Sequence, residues 1–110
     1  MMLEYILGNA TKEKILFFLY TYKEGYAKGI ADLFEIPVNA VQQQLKRLEE
    51  GAVVVSQLKG KTRVYQFNPR FPFLKELEAL LEKAMIFLPS KEIDRYYRKR
   101  TRPRRAGKPL

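Results

Sequence analysis

The sequence contains neither cysteine nor histidine. The absence of cysteine excludes a disulfide framework, a thiolate metal site and a cysteine nucleophile. The absence of histidine removes the usual general base of enzymes and the most common ligand of transition metals. A glycine-rich phosphate-binding loop is also missing. We therefore expect no catalytic residue, no bound metal and no cofactor, and an enzyme is the least favoured class of protein.

Long hydrophobic runs are missing as well. No purely apolar stretch is longer than Ala84–Leu88, whereas a membrane-spanning helix needs roughly 20 such residues. The first nine residues place no basic group ahead of their apolar side chains, so they make a poor secretion signal. These features predict a cytoplasmic protein that does not enter a membrane.

Basic residues outnumber acidic ones by 21 to 12, but the excess is concentrated at one end. From Arg95 onward there are eight Lys or Arg and no Asp or Glu. Residues 1–94 therefore hold 13 basic groups against 12 acidic groups and are nearly neutral. Because the net charge of +9 says little about this first part, the case for a nucleic-acid partner depends on where its charges lie.

The hydrophobic pattern predicts a single domain made mainly of helices. Asn9 is suited to cap a first helix that runs to about residue 23. A short second helix starts at about Ala27, and a third spans about 38–50 and ends at Gly51. Two helices of this size joined by a turn of a few residues have the spacing of a helix-turn-helix.

A β-hairpin is predicted after the third helix. Residues 53–58 and 62–67 are rich in β-branched and aromatic side chains, as strands are. The segment between them, Lys59-Gly60-Lys61, has the composition of a hairpin turn.

Helical spacing of apolar residues resumes at about Phe73 and continues to Leu88, after which Pro89 ends the helix. Ser90 is suited to cap a short last helix that reaches about Lys99. The long helix is thus followed by one more short element.

The chain divides into a main domain over 1–88, a short C-terminal helix over 89–99 and a basic tail over 100–110. We expect the tail to be disordered because it has no apolar pattern. It interleaves arginine with proline, which permits either recognition of a DNA minor groove or unspecific attraction to phosphate. We favour the second interpretation.

Three segments resemble the ArsR-type winged-helix regulators: LGNATKEKILFFL, IPVNAVQQQLKRLEEGAVV and KTRVYQFNPRFPFLKELEALLEKA. They are similar to the opening helix, the recognition helix, and the wing with its following helix, in the ArsR-like group often found beside minimal nucleotidyltransferases. The resemblance covers roughly residues 7–85. It implies a mainly α winged helix-turn-helix with a three-helix core, a β-hairpin wing and a C-terminal dimerisation helix. It also implies a dimeric regulator that binds double-stranded DNA.

The chain departs from this group at three points. The family commonly has Ala-Gly after the recognition helix, where this chain has Gly51-Ala52. Either the helix ends one residue early, or Ala52 adopts a left-handed conformation at a cost of about 1 kcal/mol. Gln43 stands where arginine is frequent, and metal sensing is not carried over because cysteine and histidine are absent.

The outward side of the third helix carries four polar residues: Asn39, Gln42, Gln43 and Lys46. The amides of Asn39, Gln42 and Gln43 can pair with N6 and N7 of adenine in the major groove. Lys46, one turn further on, is better placed for a phosphate. The alternative is an ordinary solvated helix face, but the neighbouring hairpin favours base contact.

The hairpin turn presents a cluster of cations. Lys59, Lys61 and Arg63 flank Gly60, so a compact loop offers three positive charges to a phosphate backbone. The alternative is that these residues protect an exposed strand edge from pairing. Lys28, near the start of the second helix, is a weaker candidate for phosphate contact.

The long helix is apolar over more surface than a small core can cover, which predicts a symmetric dimer. The proposed interface residues are Leu74, Leu77, Leu81, Met85 and Leu88. Alternatively, the N-terminal residues Leu3, Tyr5 and Ile6 and the last helix cover this face within one chain.

The leading functional hypothesis is therefore sequence-specific binding of double-stranded DNA by a homodimer. The alternative is a protein-interaction module that partners a nucleotidyltransferase or another toxin-antitoxin-like component. RNA binding ranks third, because no sheet studded with exposed aromatic residues supports it.

Overall fold

The computed structural model describes residues 3–98. The helices are α1 (Glu4–Leu7), α2 (Ala10–Tyr22), α3 (Ala27–Phe34), α4 (Val38–Glu50), α5 (Leu74–Ile86) and α6 (Ser90–Glu92). The strands are β1 (Glu24–Gly25), β2 (Val54–Lys59) and β3 (Thr62–Phe67). Directly after α6, a π-helical turn covers Ile93–Tyr97.

Helix α2 begins where its capping residue predicts. The Oδ1 atom of Asn9 accepts a hydrogen bond of 2.7 Å from the backbone N–H of Lys12, which satisfies one of the free donors at the helix start. Ile15, Leu16 and Leu19 are buried along one side of α2. The predicted cap is confirmed, and the helix forms the centre of the core.

Helices α3 and α4 are joined by three residues. Glu35 has a φ of 58°, so it adopts the left-handed conformation that ends α3. The N–H of Ile36 donates to the carbonyl of Ala31 over 3.0 Å. Pro37 directly precedes α4, which begins and ends at the predicted positions. This pair is the predicted helix-turn-helix.

The end of α4 settles the alternatives at Gly51-Ala52. Ala52 has a φ of 62° and is therefore left-handed. Its N–H donates to the carbonyl of Glu49 over 3.0 Å, and the N–H of Val53 donates to that of Leu48 over 2.9 Å. These two bonds form a Schellman motif, in which the left-handed position usually holds glycine.

The predicted hairpin is formed by β2 and β3, which pair in antiparallel register from Val54 opposite Phe67 to Lys59 opposite Thr62. Gly60, the first residue of the two-residue turn, has a φ of 65°. A positive φ at this position is typical of a type II′ turn, which glycine adopts without strain.

A third strand was not predicted. Glu24 and Gly25 form β1 and pair with Gln66 and Tyr65 of β3. A Cβ atom at Gly25 would collide with the ring of Phe18. The sheet order is β1-β3-β2, so β3 is central and the base of the hairpin is attached to the helical core.

The helical segment after α5, made of α6 and the π-helical turn, is shorter and less regular than the helix predicted over 89–99. Its π-helical turn brings Tyr96 and Tyr97 onto Phe34, with ring centroids 5.0 and 5.9 Å apart. Tyr97 also contacts Phe17 and is only 5% exposed. The irregular turn thus lets two consecutive aromatic side chains reach the same core. The predicted tail over 100–110 lies outside the described residues.

Three helices, a β-hairpin and a long following helix make up the winged helix-turn-helix fold, as predicted. Within residues 3–98, we find no helix with the length and apolar content needed to cross a bilayer. The same part of the chain has no cluster of three or more acidic side chains arranged to hold a metal ion.

Candidate nucleic-acid interface

Helix α4 is attached to the core by one side and exposed on the other. Its buried side chains are Val41, Leu45 and Leu48. Gln44 is half-buried, and its Oε1 atom accepts a hydrogen bond of 3.2 Å from Nδ2 of Asn9. The opposite side is open to solvent, and all four of its predicted contact residues are exposed: Asn39, Gln42, Gln43 and Lys46.

An open groove of about 500 Å³ lies between α3, α4 and the hairpin. Four of the predicted contact residues line it: Lys28, Gln42, Lys61 and Arg63. They come from three different elements, so only the folded chain brings them together. The groove combines three cations with an amide, a composition that suits a phosphate backbone beside a base edge.

Other predicted residues lie outside this groove. Asn39, Gln43 and Lys46 project from the exposed side of α4 beyond it. Lys59 is turned toward β1, where its Nζ lies 3.3 Å from Oε1 of Glu24. Because this ion pair is exposed, it contributes at most about 1 kcal/mol and competes only weakly with a phosphate.

The cation from α3 also has an acidic neighbour. The Nζ atom of Lys28 lies 3.2 Å from Oδ1 of Asp32, one helical turn away, and both side chains are mostly exposed. An exposed pair of this kind on a helix contributes only about 0.3–0.5 kcal/mol. Lys28 can therefore exchange its carboxylate partner for a phosphate at little cost.

The hairpin is connected to the end of α4 by a chain of hydrogen bonds. Nη1 of Arg63 donates to Oγ of Ser56 over 3.0 Å, and this hydroxyl donates to Oε2 of Glu49 over 2.7 Å. These hydrogen bonds hold the hairpin at a defined angle to α4. Sequence reasoning missed Ser56 and Glu49, because their contact depends on how β2 packs against the end of α4.

Two tyrosines complete the wall of the groove. Tyr26 is exposed beside the start of α3, and Tyr65 is half-buried on β3. Burial raises the pKa of Tyr65, and the nearby carboxylate of Glu49 raises it further. The phenol therefore stays protonated at neutral pH and can donate a hydrogen bond. The side chain of Tyr65 thus both packs against the core and lines the groove.

The predicted interface on α5 requires a correction. Leu81 is 0% exposed and Leu88 is 6% exposed, so both pack in the core of the single chain. They lie beneath neighbouring side chains and do not reach a partner in this arrangement. Leu74, Leu77 and Met85 are half-buried. The reason is that the core of the single chain buries more of the apolar side of α5 than the spacing of its apolar residues indicates.

A different set of apolar side chains is exposed near α1 and α5: Tyr5, Ile6, Phe73, Leu80, Ile86 and Phe87. Of the N-terminal residues considered as a cover, Leu3 is buried in the core while Tyr5 and Ile6 are not. Ile6, Phe73 and Leu80 border a second open groove of about 420 Å³, whose walls are mostly apolar. The chain therefore covers only part of this face by itself.

No family model and no curated protein matches the chain. Solved structures do match. The AntR antimony-specific transcriptional repressor superposes with a TM-score of 0.63 at 20% identity, over 83% of this chain and 78% of that one. The YusO protein from Bacillus subtilis gives 0.59 at 19% identity, over 84% and 73%. The adhesin competence repressor AdcR from Streptococcus pyogenes gives 0.56 at 15% identity, over 84% and 78%. At these identities, the likeness establishes that the chain shares the fold of these proteins.

Proposed function

We propose that this protein is a transcriptional regulator, not an enzyme, and that it binds a specific sequence of double-stranded DNA as a homodimer in the cytoplasm. The observation that carries the proposal is the convergence of Lys28, Gln42, Lys61 and Arg63 on one open groove. Two of the structural neighbours, AntR and AdcR, bear the word repressor in their names, which supports a role in transcription.

The major groove of B-DNA is about 12 Å wide and admits one α-helix. With α4 inserted there, the amides of Asn39, Gln42 and Gln43 face the base edges. Amide side chains form two hydrogen bonds with adenine, which gives each contact a preference for one base. Lys46 then faces a phosphate at the edge of the groove.

The cations beside α4 contact the sugar-phosphate backbone. Lys28 approaches one strand from α3, while Lys61 and Arg63 approach from the hairpin. Such contacts determine position and orientation but carry no sequence information. Lys59 joins them when its exposed pair with Glu24 opens.

The exposed apolar face supports pairing with a second copy of the chain. Phe73, Leu80 and Phe87 are seven residues apart, so they lie along one side of α5, with a drift of only about 20° per step. Phe73 is 64% exposed and Phe87 is 61% exposed, and Phe73 and Leu80 line one mostly apolar groove, a kind of surface that often marks an interaction site. A two-fold dimer through this face places two α4 helices on half-sites about 10 bp, or a multiple, apart.

Binding is tested with the full-length protein in two steps. Selection from a random duplex library identifies the preferred sequence, and fluorescence anisotropy then measures affinity at several salt concentrations. Gln42→Ala is expected to lose about 1–3 kcal/mol on the preferred duplex and much less on others. Lys61→Gln is expected to weaken binding to every duplex about equally and to lower the salt slope by about 0.9 for each bound protomer.

Lys75→Gln, an exposed lysine on α5 outside the groove, is the matched control and leaves both quantities unchanged. Equal losses on all duplexes with Gln42→Ala would contradict base readout by this side chain. If selection yields no preferred sequence at all, the proposed function is wrong.

The alternative of an interaction module rests on the same exposed face of α1 and α5. On that hypothesis, a nucleotidyltransferase covers Phe73, Leu80 and Phe87 in place of a second copy. Sedimentation of the purified protein separates the two, because a homodimer forms without any other component.

A further inference from the structure

Tyr26 lies between two fixed elements at the wall of the groove between α3, α4 and the hairpin. It directly follows β1, whose Gly25 pairs with Tyr65 of β3, and it directly precedes α3. Its backbone carbonyl accepts a hydrogen bond of 3.0 Å from the N–H of Ile30. The backbone of Tyr26 is therefore held from both sides.

The aromatic ring of Tyr26 lies against Gly29, one turn further along the chain in α3. A Cβ atom at Gly29 would lie 3.0 Å from Cζ and 3.1 Å from Cε1 of this ring, closer than ordinary van der Waals contact. Gly29 does not have a positive φ, so its backbone conformation would accept alanine, which a helix prefers to glycine. The tyrosine ring instead occupies the space that a side chain at position 29 would need.

The side chain of Tyr26 is 47% exposed and lines the groove together with Lys28, Lys61 and Arg63. It makes no capping hydrogen bond at the start of α3, so within the described part of the chain its hydroxyl is available to a ligand. A phenol hydroxyl donates one hydrogen bond, and phosphate oxygens accept such bonds from tyrosine in protein–DNA complexes. The groove thus offers an uncharged donor beside its three cations.

We propose that the hydroxyl of Tyr26 donates a hydrogen bond to a phosphate oxygen of the DNA backbone, and that Gly29 is a positioning residue that gives the ring its place. The inference rests on the proposed function, because it requires a duplex bound to α4 and the hairpin. A phosphate contact carries no sequence information. Because tyrosine is uncharged, this contact adds affinity for any duplex without adding to the salt dependence.

The full-length variant Tyr26→Phe removes the hydroxyl and keeps the ring. We expect it to bind the selected duplex and unrelated duplexes about tenfold more weakly for each bound protomer, as the loss of a hydrogen bond to a charged group predicts. The salt slope and the preferred sequence should not change, which separates this variant from Lys61→Gln and from Gln42→Ala. Tyr20→Phe, at a half-buried position on α2 outside the groove, is the control and should leave the affinity unchanged.

Gly29→Ala tests the positioning of the ring. The added methyl group must displace the ring by a few tenths of an ångström, whereas alanine suits the helix better than glycine. We therefore expect the affinity to fall severalfold while Tm in thermal unfolding does not fall. In a Tyr26→Ala background, the same substitution should leave the affinity unchanged, because no ring remains to be displaced.

The inference is overturned if Tyr26→Phe binds the selected duplex as tightly as the native protein does. It is also overturned if the loss is confined to duplexes with particular base pairs, since the hydroxyl would then contact a base. An equal effect of Gly29→Ala with and without the tyrosine would overturn the role of Gly29. Failure of the proposed function is a different result, since the native protein then selects no sequence at all.

Discussion

Exchanging the residues at positions 51 and 52 tests how the last turn of α4 is stabilised. Gly51 has a φ of −85°, a conformation open to any residue, whereas Ala52 has a φ of 62° in the left-handed region. The glycine therefore occupies the ordinary position and the alanine the strained one. The double variant Gly51→Ala/Ala52→Gly places each residue where its backbone preference lies.

Two properties set the size of the change in stability: the composition of the two proteins and the space around position 51. Both proteins contain the same residues, so the entropy of the unfolded chain is almost unchanged and the difference lies in the folded state. A left-handed residue with a Cβ atom costs roughly 1–2 kcal/mol. At Gly51, a Cβ atom would lie 3.6 Å from the carbonyl oxygen of Arg47, an ordinary contact. We expect the exchange to stabilise the protein by about 1–2 kcal/mol.

Urea unfolding and thermal unfolding at a fixed protein concentration measure the change. For a domain of this size, each kcal/mol raises Tm by about 4–8 °C. Gly51→Ala alone should gain about 0.4–1 kcal/mol, because it reduces the freedom of the unfolded chain. Ala52→Gly alone should gain less than the full strain, because glycine increases that freedom. A double variant that is no more stable than the native protein would refute the assignment of strain to Ala52.

Two further predictions concern a buried carboxyl group and the apolar face. Burial raises the pKa of Glu13 above its ordinary value of 4.5, although the N–H of Leu3 donates to its carboxyl group and opposes the shift. A raised pKa in the folded state stabilises the protein below the unfolded pKa, and this contribution is lost as the pH rises through the folded pKa. In urea unfolding, Glu13→Gln should therefore be more stable than the native protein at pH 7 and nearly equal to it at pH 4. A lower stability of the variant at pH 7 would show that the folded protein favours the charged form of Glu13. Leu80→Glu should raise the dimer dissociation constant at least about tenfold in sedimentation, because it places a charge in an apolar contact. The control variant Lys75→Glu should have no effect. Equal dimerisation of both variants would exclude the exposed apolar face of α5 as the dimer interface.

Much of the fold was predictable because its signals are local. Asn9 caps α2 through a hydrogen bond three residues away, and Pro37 and Gly51 bound α4 at the predicted positions. Gly60 provides the positive φ that the hairpin turn needs. Each of these preferences acts within a few residues, so the order of amino acids carries it. The exposed side of α4 is predicted in the same way, from helical spacing alone.

Other features depend on residues far apart along the chain. The burial of Leu81 and Leu88 was not predicted, because a helical pattern marks an apolar side without saying which part of it the core uses. Strand β1 is only two residues long and exists because β3 offers it a partner. Glu13 has the position of an ordinary first-turn acid, yet packing around α2 buries it.

The candidate site also combines features that local sequence determines with features that depend on distant residues. The sequence by itself determined which residue types stand on the exposed side of α4 and around the hairpin turn, because period and turn chemistry act locally. Tertiary structure alone decided that Lys28, Gln42 and Arg63 share one groove, and that Arg95 reaches Glu35 sixty residues away. Such contacts arise from packing of the whole core, which no local preference encodes.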